Sequence, residues 1–324
     1  MNNSLRPYAG WAVVLLLSAL VTTTSYAQFQ PNITFHSLLT GVSVNQENGQ
    51  LMIDKLYAGF LPDSYSDFTV SVQYGGEALA TYPTMVITEK KPFTQFIVNS
   101  YGNEITLEEG SYELVFALAG TPFYTFPFSV RIKDNGDPYD PKRMPFLDGA
   151  WDEYAALYVK APDQPVMWQE NHRNEDLSVR QQNGVRTIEV YRDGALFATS
   201  EESTSQKIGV PVTGYHTWYL SRPRLYKVLP GGDTTILYGN DLTACGDCSY
   251  EVRVTHLDAY LYKEASMNDG PQKKPNVVKT DTYTFQVAGG QIVREGRQDR
   301  EATDPQLFIE GGKTLTWLKK RQES

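Results

Sequence analysis

Cys245 and Cys248 are the only two cysteines of the chain. In an oxidising compartment, cysteines at this spacing close a tight disulfide bond across a turn. A redox motif would need a helix after the second cysteine, because the helix dipole lowers the thiol pKa. An alternating strand pattern follows instead, and the nearest histidine, His256, lies inside it. A zinc site would need further ligands. We therefore predict a structural disulfide, with a redox or a metal-binding role as the alternatives.

Four oxygen-bearing side chains lie together in one proline-rich stretch, namely Asp134, Asn135, Asp137 and Asp140. Calcium binds about six to eight oxygen ligands, and acidic residues of a glycine-containing loop commonly supply them. An ion here would fix the angle between the flanking segments, so one hypothesis is a calcium-stiffened spacer without a further ligand. The stretch lacks a complete calcium-loop signature. The alternative is a solvated linker whose acidic side chains cap turns.

The densest polar run of the second half extends from Glu170 to Asp176 and includes His172 and Glu175. Two carboxylates can act as acid and base in glycoside hydrolysis. Neighbours on one loop do not form such a pair, so we interpret the run as a solvated loop. The chain also lacks the motifs of serine hydrolases, zinc peptidases, phosphate-binding loops and dinucleotide sites. The sequence therefore predicts no catalytic residue and no cofactor apart from the calcium ion considered above.

One strand-like run, from Tyr215 to Leu220, carries aromatic or apolar groups on both faces. Trp218 and Leu220 share one face, and Tyr215 and Tyr219 lie on the other. If the first pair faces a core, the two tyrosines form an exposed platform suited to a sugar ring or a partner protein. The alternative is a strand that is buried on both faces.

The elements that position these residues follow an N-terminal export signal. Arg6 precedes an apolar run from Trp11 to Val21, and Ser25 to Ala27 supply small residues where a signal peptidase cuts. The run is too short to span a bilayer comfortably, so we predict a signal peptide over residues 1–27, with an uncleaved anchor as the alternative. We expect a periplasmic or extracellular protein with no integral membrane segment after cleavage.

Composition restricts the partners. The 324 residues are enough for two ordinary cores, and 41% hydrophobic with 21% charged residues is typical of a folded protein. A formal net charge of −9 argues against a nucleic-acid partner, because phosphates would be repelled. We therefore expect a protein or a polysaccharide as the partner.

Short apolar runs separated by turn signals predict an all-β protein. Phe68 to Tyr74 alternates apolar with polar residues, and Pro83 marks an edge or a bulge in the next run. The stretch 133–145 has no apolar periodicity and contains three prolines. We predict a first β-sandwich over 28–132, a linker over 133–145 and a second β-sandwich over 146–293. A charged tail with a terminal strand or hairpin follows over 294–324.

Two short blocks occur in the same order in the two halves. Gly110 to Leu114 has the sequence Gly-Ser-Tyr-Glu-Leu, and Cys248 to Val252 has the sequence Cys-Ser-Tyr-Glu-Val. A strand rich in threonine and aromatic residues follows each. The blocks resemble the penultimate strand of immunoglobulin-like and fibronectin type III-like domains, where a tyrosine hydrogen-bonds back across a corner. The resemblance implies two tandem antiparallel β-sandwiches and a structural role for Tyr112 and Tyr250.

Together these features predict an exported, non-enzymatic binding or structural module that contacts a protein or a polysaccharide through tandem β-sandwiches. The alternative is a carbohydrate-active enzyme with catalytic carboxylates between the domains. The two differ in their sites. An enzyme needs a cleft that holds two carboxylates with separated pKa values, whereas a binding module needs only a shallow aromatic surface.

Overall fold

Antiparallel strands form most of the protein in the computed structural model. It describes residues 32–45, 48–59, 67–90, 93–100, 103–134, 136–139, 141, 143–172, 185–200, 219–257, 277–293 and 315–322. The predicted all-β class is confirmed for these residues. The predicted signal peptide lies outside them.

The first half contains these elements: β1 (Asn32–Ile33), α1 (Phe35–Gly41), β2 (Val42–Val44), β3 (Leu51–Ile53), β4 (Leu56–Gly59), β5 (Phe68–Tyr74), β6 (Glu77–Lys90), β7 (Phe93–Val98), β8 (Gly110–Leu118), β9 (Thr121–Asp134) and β10 (Arg143–Gly149). The second half contains α2 (Ala150–Glu153), β11 (Tyr154–Tyr158), β12 (Met167–His172), β13 (Val185–Arg192), β14 (Ala195–Ser200), β15 (Tyr219–Ser221), β16 (Leu225–Val228), β17 (Thr234–Ile236), α3 (Gly239–Thr243), β18 (Cys248–Leu257), β19 (Val277–Ala288), β20 (Gln291–Val293) and β21 (Leu315–Lys319).

The strands form three sheets and one two-stranded ribbon in the described part of the chain. The first sheet has the order β1-β4-β7-β6-β5-β8-β9-β10, the middle sheet has β15-β12-β11-β21, and the third sheet has β17-β16-β14-β13-β18-β19-β20. The ribbon pairs β2 with β3. Alternation explains the strands: in β5, Phe68, Val70 and Val72 are buried, and the residues between them are half-buried.

The first and third sheets contain the same four-strand unit. The order β6-β5-β8-β9 in the one matches β14-β13-β18-β19 in the other. Each unit begins with a hairpin whose two-residue turn has positive φ at both positions, Gly75–Gly76 in the first and Asp193–Gly194 in the second. A register shift precedes each turn by the same two residues. The repeated sequence blocks therefore coincide with a repeated structure.

The two tyrosines of the repeated blocks occupy equivalent positions in these units. The Tyr112 hydroxyl donates a hydrogen bond of 2.9 Å to the carbonyl oxygen of Glu108. The Tyr250 hydroxyl donates one of 2.7 Å to the carbonyl oxygen of Leu242. Each bond ties the start of a strand to the segment that precedes it, as the resemblance implied.

The middle sheet contributes side chains to two hydrophobic cores. Ala156 and Trp317 belong to the first core, which the first sheet and α1 also form. Ala155 and Leu318 belong to the second core, which the third sheet also forms. Successive residues of a strand point to opposite faces, so β11 and β21 serve both cores. Residues 315–319 are thus a terminal strand, as predicted, while residues 294–314 lie outside the described part.

The two ends of the stretch 133–145, predicted as a linker, belong to two paired strands. β9 continues to Asp134, and β10 begins opposite it at Arg143. Pro145 lies within β10, opposite Ile132, at an edge where a missing N–H is tolerated. The sequence did not predict β10, because Pro145 is more typical of a loop than of a strand. A division of the chain at this stretch stays a prediction, and the shared middle sheet does not support it.

Candidate functional site

A depression of about 600 Å³ lies across β5, β8, β9 and β10 of the first sheet, and we call it the aromatic depression. Its lining combines rings with carboxylates. The rings are Phe35, Tyr112, Tyr124, Phe126, Phe128 and Tyr154, and the carboxylates are Glu113, Asp148 and Glu153. Rings provide apolar faces, and carboxylates accept hydrogen bonds from hydroxyl or cationic groups. Four of these rings are buried in the first core, so Tyr124 and Tyr154 are the rings that a sugar or a basic side chain can reach.

Stacked rings keep one wall of the aromatic depression rigid. The Tyr112 ring centre lies 5.2 Å from that of Tyr74 and 5.6 Å from that of Phe128. Phe128 meets Trp151 edge-on at 6.4 Å. Except for Tyr74, these side chains are buried. Each such ring pair contributes about 0.5–1.5 kcal/mol beyond area burial, so this wall is preorganised.

Gly149 turns the chain out of the first sheet beside the aromatic depression. Its φ of 141° would strain a residue with a side chain, and a Cβ there would lie 3.6 Å from the carbonyl oxygen of Pro127. The short helix α2 follows directly and carries Glu153 to the lining of the depression. β10 consequently ends opposite Phe128 and does not accompany the earlier part of β9.

Two further depressions adjoin the first. One of about 790 Å³ also has Glu153 in its lining, and one of about 340 Å³ shares Glu251, Arg253 and Arg321 with the second. In the third, the Arg253 guanidinium lies 4.4 Å from the ring centre of Tyr191 and forms an ion pair of 2.7 Å with Glu251. We call these three depressions, which are linked by their shared lining residues, the groove; it has an aromatic end and a charged end.

A buried ion pair lies inside the second core. Glu170 of β12 pairs with Arg186 of β13, and their side chains are 4% and 2% exposed. The indole N–H of Trp168 donates a 3.0 Å hydrogen bond to the same carboxylate. Burial lowers the pKa of Arg186 to about 10, so the guanidinium stays charged at neutral pH. An ion pair this deep positions the middle sheet against the third sheet and is not placed to meet a ligand.

A second polar group extends this interior cluster towards its edge. His256 Nε2 lies 2.9 Å from the Asp281 carboxylate, which also contacts the ammonium groups of Lys279 and Lys320. Burial alone would raise the pKa of Asp281. The hydrogen bond to His256 and the two lysines outweigh burial and hold that pKa well below its usual range. Asp281 is thus kept ionised, which is the opposite of what a general acid requires.

His36 joins α1 to the middle sheet. Its ring lies 3.0 Å from the Gln169 amide and 3.3 Å from the Arg222 guanidinium, and Arg222 also donates a 2.8 Å bond to Gln169. Burial and, secondly, Arg222 lower the pKa of His36 to about 4. The ring is therefore neutral at physiological pH and acts in packing.

The structure contains the predicted disulfide bond between Cys245 and Cys248, whose Cα atoms are 6.1 Å apart. Cys245 follows α3, and Cys248 is the first residue of β18. His256 bonds to Asp281 rather than approaching the sulfur atoms. The disulfide bond closes the same corner that the hydrogen bond from the Tyr250 hydroxyl to Leu242 spans.

The four calcium candidates are only partly described. Asp134 forms an ion pair of 3.2 Å with Arg143, and Asp137 accepts a hydrogen bond of 2.8 Å from the backbone N–H of Tyr139. Asn135 and Asp140 lie outside the described residues. Within the described part of the chain, no three His, Cys, Asp or Glu residues are grouped to hold a metal ion. Calcium at this hairpin stays a prediction.

Two further candidates are the tyrosine platform and the polar run 170–176. Tyr215 lies outside the described residues, and Tyr219 has a described backbone, in β15 opposite His172. The exposed tyrosine platform therefore stays a prediction. Glu175 is also outside the described part. Glu170, which we placed on a solvated loop, is instead buried in β12, because Arg186 compensates its charge.

Sequence analysis missed the aromatic depression. Tyr124, Phe126 and Phe128 belong to the predicted aromatic strand that follows the Gly110–Leu114 block, and nothing in that pattern marked them as the lining of a site. Glu153 gave no signal, because a short helix on a sheet edge has no periodicity. One sign was present: Pro122 and Pro127 within one strand indicate an edge that lacks a full set of donors.

Comparison with known proteins gives no family for this chain. No protein-family model matches it, and no curated protein sequence is significantly similar to it. Among the described residues, no helix is long and apolar enough to cross a membrane.

Proposed function

We propose that this protein is an exported, non-enzymatic binding module that holds an extended polymer, a protein or a polysaccharide, in the groove that begins at the aromatic depression. The observation that carries the proposal is the lining of that depression, where the half-buried rings of Tyr124 and Tyr154 lie among three carboxylates. The lining residues that link it to the two other depressions support an extended ligand over a small one. Export rests on the N-terminal sequence alone.

We further propose that the two four-strand units are of the immunoglobulin-like class. Their common strand order and the two tyrosine hydrogen bonds support this. Such folds host many roles, so the fold does not select the ligand.

The carbohydrate-active enzyme is the competing function. Where the described carboxyl groups have clearly shifted pKa values, at Asp241 and Asp281, both values are lowered. A glycosidase general acid needs a raised pKa, so neither of these two residues suits that role. A reducing-sugar assay on arrayed polysaccharides tests the alternative, and turnover that Glu113→Gln or Glu153→Gln abolishes would establish it.

Binding is tested with a chain that begins at Gln28, applied to a glycan array and to a peptide array. We expect retention on one of the two arrays. Reversal of charge in the aromatic depression by Glu113→Lys should reduce the signal at least tenfold. Asp233→Lys, an equal charge change on the exposed β16–β17 turn, is the control and should leave it unchanged. Retention on neither array, or an equal effect of both variants, would overturn the proposal.

A further inference from the structure

β9 has an open edge beside the aromatic depression. The strand pairs with β8 from Thr121 to Val130, but β10 pairs with it only from Phe128 onwards. Among the described strands, the segment Thr121–Pro127 therefore pairs with β8 only, although β1 lies near β9; its other side is the place where β10 would continue had Gly149 not turned the chain away. Open edges of this kind accept further strands.

Prolines establish which backbone groups point to the open side. Pro127 lies opposite Glu113 of β8 and has no N–H to offer it, so this pair is a non-hydrogen-bonded one. Pro145 of β10 lies opposite Ile132 and also lacks an N–H, so this pair is non-hydrogen-bonded as well. Ile132 therefore directs its backbone groups towards β8, which agrees with the assignment from Pro127. Hydrogen-bonded and non-hydrogen-bonded pairs alternate along an antiparallel ladder, so Thr125, like Pro127, directs its backbone groups away from β8. Outside the strand ladders, the Thr125 N–H makes no backbone hydrogen bond in the described part of the chain.

We propose that this edge binds an extended basic segment of a partner protein, which adds to the first sheet as a strand antiparallel to β9. The inference rests on the proposed function and specifies its ligand. A polypeptide in extended form is the polymer whose donors and acceptors recur at the two-residue interval that β9 presents. A polysaccharide would contact the rings and carboxylates of the depression, but it has no acceptors spaced at this two-residue interval to pair with the Thr125 N–H.

Charge selects a basic segment. Asp148 is already paired with Arg131, at 3.2 Å, which leaves Glu113 and Glu153 as the carboxylates of the lining that face a ligand. Side chains of an added strand alternate between the two faces, so lysine or arginine at every second position would meet these carboxylates. A second copy of this chain is a poor occupant, because each copy carries a net charge of −9.

Thr125→Pro is the discriminating variant. It removes the N–H that faces the open side. It costs no hydrogen bond to β8, because Thr125, like Pro127, belongs to a non-hydrogen-bonded pair. Thr125→Val is its matched control, since valine keeps the backbone N–H and the β-branched shape. Circular dichroism of both variants verifies that the fold is retained.

The probes are random twelve-residue peptides displayed on phage and selected on the chain that begins at Gln28. We expect selected peptides with basic residues at alternate positions. Fluorescence polarisation of the tightest one should show at least tenfold weaker binding to Thr125→Pro and less than twofold change for Thr125→Val. Methylation of the peptide amides on one alternate set should abolish binding, whereas methylation of the other set should not.

The outcomes separate this inference from the proposed function. Failure to select a peptide, equal binding to both Thr125 variants, or equal effects of the two methylation sets would overturn strand addition. Retention on the glycan array, lost in Glu113→Lys, would in that case leave the proposed binding function in place with a polysaccharide ligand. Absence of binding on every array would remove both.

Discussion

Single hydroxyl groups close the corner of each repeat, and their removal is the sharpest test at the scale of one residue. Tyr250→Phe should lower the free energy of unfolding by about 1–2 kcal/mol, because the buried carbonyl oxygen of Leu242 loses its donor. Tyr112→Phe should cost less, about 0.5–1 kcal/mol, because its bond to Glu108 is only partly buried. Urea denaturation measures both values. Tyr139→Phe, at a side chain that is 96% exposed, should change nothing.

His36 predicts an acid sensitivity. Its pKa is about 4 in the folded protein, against an ordinary value of 6.5 when unfolded. Between pH 6.5 and pH 4 the unfolded chain binds a proton at His36 and the folded chain does not. The contribution of neutral His36 to the free energy of unfolding is therefore fully present above pH 6.5 and is lost as the pH falls towards 4. The loss should reach up to about 3 kcal/mol.

Urea midpoints at pH 7 and pH 4.5 measure this loss. His36→Gln cannot take up the proton, so its stability should fall less on acidification than that of the parent chain. His256, whose pKa burial also lowers, remains in the variant and accounts for part of the residual fall. Equal acid losses in the parent and the variant would exclude the assigned role of His36.

At the scale of an element, the disulfide bond joins α3 to β18 across a very short loop. Entropy of loop closure for so few residues gives a stabilisation of about 2 kcal/mol. The double variant Cys245→Ser/Cys248→Ser should therefore fold, with a free energy of unfolding lower by about that amount. Alkylation of the unreduced, denatured parent chain followed by intact-mass measurement should show no label, and two labels would contradict the bond.

Sequence alone predicted those strands whose pattern comes from one local rule. β5 alternates and ends in two glycines, and Pro83 lies where β6 changes its partner from β5 to β7. β10 was missed, because its proline and charged residues suggest a loop. The burial of Glu170 could not be foreseen either, since its compensation by Arg186 depends on a contact between two sheets. The aromatic depression could not be foreseen for the same reason, because it is assembled from four strands that are separated in the sequence.

At the scale of the whole molecule, the shared middle sheet predicts one unfolding transition. Trp317 faces the first core and Leu318 the second, on neighbouring positions of β21. Trp317→Ala should cost about 3–5 kcal/mol and Leu318→Ala about 2–5 kcal/mol, and both should shift the same calorimetric peak. Two separate peaks, each sensitive to only one variant, would instead indicate independent sandwiches divided at residues 133–145.

Calcium at the β9–β10 hairpin predicts a response to chelator. If an ion is held near Asp134 and Asp137, a chelator should lower the melting temperature, and Asp137→Asn should remove that response. The ion pair of Asp134 with Arg143 is the competing interaction. An unchanged melting temperature would leave the hairpin as a solvated turn.

The place of β21 in the middle sheet has a consequence for the order in which the chain can acquire its structure. Residues 150–158 are synthesised near the midpoint of the chain, yet one of their two neighbouring strands consists of residues 315–319. The ring centre of Trp317 lies 5.0 Å from that of Phe35, so this contact of the first core forms only after the intervening segments have been synthesised. Packing around Phe35 in the N-terminal half is therefore completed only after the strand that carries Trp317 has been made and has joined the middle sheet.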